Sequence, residues 1–241
     1  MNSGARNLLL LSSSRLHGYG YLEHARAQLE DLFKAKNVKT VLFVPYALRD
    51  HDKYTATVRA ALQPWGYAVE GLHTKPDPGR ALREAQAIFV GGGNTFVLLK
   101  QLYELQLVEL IRQLVLEQGL TYVGSSAGTN VATRSIHTTN DMPVMQPPTF
   151  EALALVPFNI NPHYLDADLS SQHKGETRDE RIEEFVSYHA RPVLGLREGT
   201  SLRVQGDRAT LLGERNAKLF KSDGSTVEYE PQSDFSFLLK E

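Results

Sequence analysis

The chain has 241 residues, 41% of them apolar and 22% charged, which suits a folded protein with a sizeable core and excludes a disordered one. Its 26 basic residues against 28 acidic ones leave a net charge of -2, so nothing in the composition attracts a phosphate backbone or an anionic membrane, and a nucleic-acid partner is not expected. There are no cysteines, which excludes disulfides, thiolate-bound zinc or iron–sulfur sites, and a cysteine nucleophile.

From the N-terminus, the first apolar run is Leu8–Leu11, too short for a signal-peptide core or a membrane span; a cytoplasmic protein without a membrane partner is expected. Leu8–Leu11, Val41–Val44, Ala68–Leu72, Ala87–Val90 and Leu120–Val123 are apolar without polar alternation, as in strands covered on both faces. Between them, Leu22, Ala25, Leu29, Leu32 and Phe33 recur at helical spacing, as do Leu98, Leu102 and Leu105, followed by Leu110, Ile111 and Leu114. Runs and stripes in alternation predict an α/β fold, a mostly parallel sheet flanked by helices. The segment 135–149 is polar and carries Pro143, Pro147 and Pro148, so it reads as a long irregular loop. Further on, Ser201–Val204 and Ala209–Leu212 flank Gln205-Gly206-Asp207-Arg208, the pattern of a C-terminal β-hairpin extension at the sheet edge. No linker or repeat divides the chain, and one domain over 1–241 is expected.

Chemistry concentrates after the strands. Gly124-Ser125-Ser126-Ala127-Gly128 fits G-x-S-x-G between a strand and a short helical run, where a sharp turn would expose the Ser126 hydroxyl in a nucleophile elbow. The competing view is a plain small-residue turn. Gly91-Gly92-Gly93-Asn94-Thr95-Phe96 follows Val90, and an N–H of Gly92 or Gly93 could join that of Ala127 in an oxyanion hole. Phe96 stands where a dinucleotide fingerprint needs glycine, and no Gly-Lys-Ser/Thr follows, so a phosphate cradle is the weaker reading.

A serine needs a base, and His163 is the best placed, because it ends the apolar stretch Phe158–Pro162 where a strand would deliver its ring. His17, His51, His73 and His189 fall in loops or near helix ends, and His24 on a helix; no H-E-x-x-H pair points to zinc. Two carboxylates compete to orient His163: Asp141, in the loop after the nucleophile, and Glu198, after the run Val193–Leu196. Each has an ordinary alternative, as a turn cap or a solvated acid. Thr177 and Glu180 form a capping box that puts Arg178 at the first position of a helix, where its guanidinium could grip a carboxylate or simply be solvated.

Taken together, these blocks resemble the peptidase E family, the α-aspartyl dipeptidases, serine peptidases related in fold to the class I glutamine amidotransferases, which implies a flavodoxin-like/class I glutamine amidotransferase-like α/β fold. The likeness runs through Leu8–Ser12, Val90–Phe96, the Ser126 elbow, Thr138–Pro143, Ile160–His163 and His173–Arg178. It implies hydrolysis of small peptides with an unblocked N-terminal aspartate, without metal or organic cofactor. It matches Ser126 to the nucleophile, His163 to the base, Asp141 or Glu198 to the third member, and Arg178 to the reader of the aspartate side chain; Asn94, which follows the glycine run, is a further candidate for substrate binding. Rival expectations are a cyanophycinase-like acidic-peptide hydrolase and a non-catalytic module that binds a small anion at the glycine run. The sequence leaves the oligomeric state open.

Overall fold

The computed structural model describes residues 5–168, 170 and 175–240; Met1–Gly4, and His173 and Lys174 of the polar block before Arg178, lie outside the described residues. In chain order the elements are β1 (Asn7–Leu11), α1 (Arg26–Lys34), β2 (Thr40–Val44), α2 (His51–Leu62), β3 (Ala68–Gly71), α3 (Pro78–Glu84), β4 (Ala87–Val90), α4 (Thr95–Glu104), α5 (Val108–Gln118), β5 (Thr121–Ser125) and α6 (Ala127–Ala132). They continue with β6 (Asn159–Pro162), α7 (Arg178–His189), β7 (Val193–Leu196), β8 (Thr200–Gln205), β9 (Arg208–Gly213), β10 (Ala217–Phe220) and β11 (Thr226–Tyr229).

The main sheet has the order β3-β2-β4-β5-β1-β8-β9. Its first five strands are parallel, and the β8–β9 hairpin joins β1 antiparallel, as the turn chemistry at Gly206-Asp207 predicts. The unbroken apolar runs now have a cause. Leu8 and Leu10 of β1, Leu42 and Val44 of β2, and Ile88 and Val90 of β4 enter one core cluster with α4 and α5. Their neighbours Leu9, Leu11, Val41, Phe43 and Phe89 enter a second cluster with α1 and α2 on the opposite face. Successive strand residues point to opposite faces, so a sheet covered twice requires every residue to be apolar. β3 departs from that expectation: it is the sheet edge, with Ala68 and Glu70 exposed and Val69 and Gly71 buried. The leucine-rich stretch after Val90 also splits into two helices, because Gln106 adopts φ 56° between α4 and α5.

A second sheet of order β11-β10-β7-β6 stands beside the main one, where the sequence leads one to expect a single mostly parallel sheet. It packs by Ile160, Leu194, Leu196 and Leu219 into the same cluster that covers one face of the main sheet. β6 and β7 are parallel, with Pro162 opposite Leu196, so the residues that follow each strand emerge side by side. Residues 135–149 are irregular, closed at their base by a Ser135–Glu151 bridge. Among the described residues no helix is long and apolar enough to cross a membrane.

Candidate active site

β5 ends at Ser125 and α6 starts at Ala127; Ser126 between them sits at φ 54°, ψ -111°, a conformation a serine adopts only when its surroundings impose it. They do so through close packing on both sides. A Cβ on Gly124 would lie 2.6 Å from the Gly128 carbonyl oxygen, and one on Gly128 would lie 2.0 Å from that of Val90. The two glycines of the pentapeptide are therefore demanded by backbone contact between α6 and strands β4 and β5. Gly128→Ala is expected to lower stability by about 3 kcal/mol, since the clash is with main chain that cannot rotate away. A chemical-denaturation midpoint equal to the parent's would refute that account.

His163, just past β6, and Glu198, just past β7, come together through the β6–β7 pairing. His163 Nδ1 lies 2.7 Å from Glu198 Oε1, and its Nε2 lies 3.0 Å from Ser126 Oγ. An ionised carboxylate only accepts, so the tautomer that satisfies both contacts carries its proton on Nδ1 and receives the serine hydroxyl at Nε2. His163 itself holds φ 53°. Its N–H donates to Ser12 Oγ at 2.9 Å, and the Ser12 hydroxyl donates to the Leu196 carbonyl at 2.8 Å. Ser12, directly after β1, thus ties the ends of the two sheets together under the imidazole. Nothing but its place after the first strand marks it in the sequence.

Asp141 is brought elsewhere. It accepts from the Thr95 N–H at 2.8 Å and the Thr95 hydroxyl at 2.6 Å, and from Thr139 at 3.2 Å, which places its charge at the N-terminus of α4. Asn94 is engaged at the same point: its side-chain oxygen accepts from the N–H groups of Phe96 and Val97, and its amide donates to the Met142 carbonyl. Both residues, expected to work on His163 and substrate, here cap a helix and fasten the 135–149 loop to it. Among the described residues, the N–H groups of Gly93 and Ala127 have no hydrogen-bond partner, and Gly92 has only the Tyr54 hydroxyl near its own. A Cβ on Gly92 would stand 3.0 Å from that of Ser126, so the glycine run lies against the nucleophile.

Arg178 opens α7 behind the Thr177–Glu180 capping box, as the pattern predicts. Its guanidinium donates to the Asn140 side-chain oxygen, and Asn140 in turn donates to the Pro162 carbonyl at 2.7 Å, one residue from His163. Burial, reinforced by Arg181, holds the Arg178 pKa below its ordinary value. No described carboxylate forms an ion pair with it. The neighbouring Asp179 is held by Lys218 and the Tyr164 hydroxyl, each at 2.6 Å, which anchors this end of α7 to the segment after His163.

His24, within electrostatic reach of Glu198, has ring nitrogens buried without a partner at hydrogen-bond geometry among the described residues. Burial depresses its pKa more than Ser13 and Glu198 raise it, and burial likewise depresses that of His51. The unfolded chain then binds more protons than the folded one, so stability is full above about pH 6.5 and falls as pH drops below it. Melting temperature is expected to fall between pH 7 and pH 5, and His24→Leu to flatten that slope; equal slopes would count against it.

A cavity of about 930 Å³ opens on Ser126, His163, Glu198, Gly92 and Gly93. Arg178 is not among its walls; it borders a smaller one of about 230 Å³ with Leu165, Asp166 and Arg181. Among the described residues no cluster of three or more His, Asp or Glu side chains could hold a metal ion.

A serine strained at a strand-to-helix turn, hydrogen-bonded to a histidine that is hydrogen-bonded to a carboxylate, on an α/β sheet, is the arrangement of a serine hydrolase. The model of peptidase family S51 matches residues 8–212, and the chain belongs to that family. It is 79% identical over 238 residues to a Drosophila melanogaster protein named "Probable alpha-aspartyl dipeptidase", covering 99% of each chain. It is 55% identical over 233 residues to "Peptidase E" of Streptomyces coelicolor, covering 97% of this chain and 95% of that one. The crystal structure of a peptidase from an acI-B1 Actinobacterium superposes with a TM-score of 0.71 over 98% of this chain and 99% of that one, at 18% identity, a likeness of fold.

Proposed function

We propose that the protein is a serine dipeptidase that cleaves Asp-Xaa substrates with a free N-terminus through an acyl-enzyme. The observation that carries this reading is the unbroken relay from Ser126 through His163 to Glu198. His163 removes the Ser126 proton as the oxygen attacks the scissile carbonyl; Glu198 stabilises the imidazolium that forms. The free N–H groups of Ala127 and Gly93, with Gly92 beside them, hold the oxyanion, each donor contributing roughly 3 kcal/mol to the barrier reduction. His163 then protonates the departing amine, and water, deprotonated by the same ring, releases aspartate from Ser126.

Arg178 reads the aspartate side chain in this account, supported by the absence of an ion pair to any described carboxylate and by its link through Asn140 to the segment carrying His163. Asp141 and Asn94 serve by holding the loop and α4 in register beside the site. Residues 1–241 are read as one peptidase domain, supported by the core cluster common to both sheets and by a triad drawn from both.

The test compares Asp-Leu with Asn-Leu. An unpaired, partly buried guanidinium penalises a neutral side chain, so kcat/KM is expected to fall roughly a hundredfold or more for Asn-Leu, and Arg178→Met to erase most of that difference. Equal turnover of both dipeptides by the parent would remove the aspartate reading and leave the serine chemistry standing.

A further inference from the structure

The cavity over Ser126 is larger than one aspartyl residue requires, and much of its wall lies away from the triad. It is formed by Arg15, Arg49 and Lys53 together with Tyr21, Tyr54 and Leu48. These side chains connect back to the reacting centre. The Tyr54 hydroxyl lies 2.6 Å from where a Cβ on Gly91 would stand, so it packs against the glycine run. Its oxygen is 3.5 Å from that of Tyr21, and the Arg15 guanidinium sits 5.6 Å from the centre of the Tyr21 ring. An aromatic wall thus leads from the oxyanion donors to a cation.

The charge along this wall is unbalanced. Arg15, Arg49 and Lys53 form no ion pair with any described residue. The acids that share the cavity are committed elsewhere: Asp50 accepts the Lys53 N–H as the N-cap of α2, and Glu198 accepts from His163. Three cations against two carboxylates, each already accepting a hydrogen bond, leave a net positive charge on a concave, partly apolar wall, which concentrates an anion there.

We infer that this cavity is the subsite for the leaving residue, and that Arg15, Arg49 and Lys53 bind its free C-terminal carboxylate. The inference rests on the proposed peptidase reading, in which Arg178, outside this cavity, takes the aspartate. In a dipeptide the carboxylate lies one residue, about 3.8 Å of chain, beyond the scissile carbonyl. Each added residue carries that charge further out, and amidation removes it. The enzyme then recognises both ends of its substrate, a carboxylate side chain on one side of the scissile bond and a terminal carboxylate on the other. Tyr21, Tyr54 and Leu48 contact the side chain between them.

The test measures kcat/KM for Asp-Leu and Asp-Leu-amide, which differ only in that charge, with the parent and with Arg15→Gln/Arg49→Gln/Lys53→Met. The parent is expected to favour the acid about tenfold, through KM, and 0.5 M salt to narrow the preference because the cations are exposed. In the triple variant the acid is expected to lose about tenfold and the amide less than threefold, which brings the ratio near one. A ratio near one in the parent, or one unchanged in the variant, overturns the inference while leaving the dipeptidase reading intact. If the parent cleaves neither substrate, the dipeptidase reading falls and the inference with it. Should the triple variant melt below the assay temperature, the single changes Arg15→Gln and Lys53→Met are read the same way, each moving the ratio part of the distance.

Discussion

Ser126→Ala is expected to lower kcat on Asp-Leu by roughly a millionfold while leaving the dipeptide bound. The change removes one oxygen and keeps the Cβ, so the turn, which is held by the contacts of Gly124 and Gly128 and by the Ser126 N–H to the Leu11 carbonyl, has no reason to move. The backbone donors at Gly93 and Ala127 remain, but without the serine oxygen no acyl-enzyme forms, and only a slow direct attack by water on the bound peptide is left. Steady-state hydrolysis together with calorimetric binding of intact Asp-Leu to the variant checks both halves. Retention of more than a thousandth of parental turnover would mean that another group supplies the nucleophile.

Glu198→Gln and Asp141→Asn separate the two carboxylates that compete in the sequence. Glutamine at 198 cannot hold His163 in the tautomer with its proton on Nδ1 as a carboxylate does, nor balance the imidazolium; a loss of about 10,000-fold in kcat is expected, with the fold unchanged because Glu198 is partly exposed. Asparagine at 141 weakens two charge-assisted hydrogen bonds from Thr95 at the start of α4. That is expected to cost about 1–2 kcal/mol of stability and no more than tenfold in kcat. The readouts are the rate constants and the denaturation midpoints of both variants. The reverse ranking, with Asp141→Asn the more damaging to kcat in a stable protein, would return the triad assignment to Asp141.

The main sheet was legible because its strands are buried on both faces, which leaves a signal in consecutive residues: Leu8–Leu11, Val41–Val44 and Ala87–Val90 all recur as strands. The hairpin at Gly206-Asp207 was legible for a similar reason, as turn chemistry is local. The second sheet was not. β10 and β11 are short, and β11 is partly exposed throughout, so neither carries a run long enough to stand out. Whether β6 and β7 join the main sheet or another depends on partners far away in the chain.

The elbow and the strand-end histidine also followed from local pattern, since glycines flanking a serine after a strand, and a proline before a histidine, constrain backbone within a few residues. Ser12, Asn140 and the destination of Asp141 did not, because each acts through a hydrogen bond to a residue distant in sequence, Ser12 to His163 and Asp141 to Thr95. By itself the sequence determined which residues could carry the chemistry, because reactivity belongs to side-chain type and local turn. Only the tertiary structure decided which carboxylate meets His163, because that follows from the pairing of β6 with β7, which sets Glu198 beside the ring and leaves Asp141 at the end of α4.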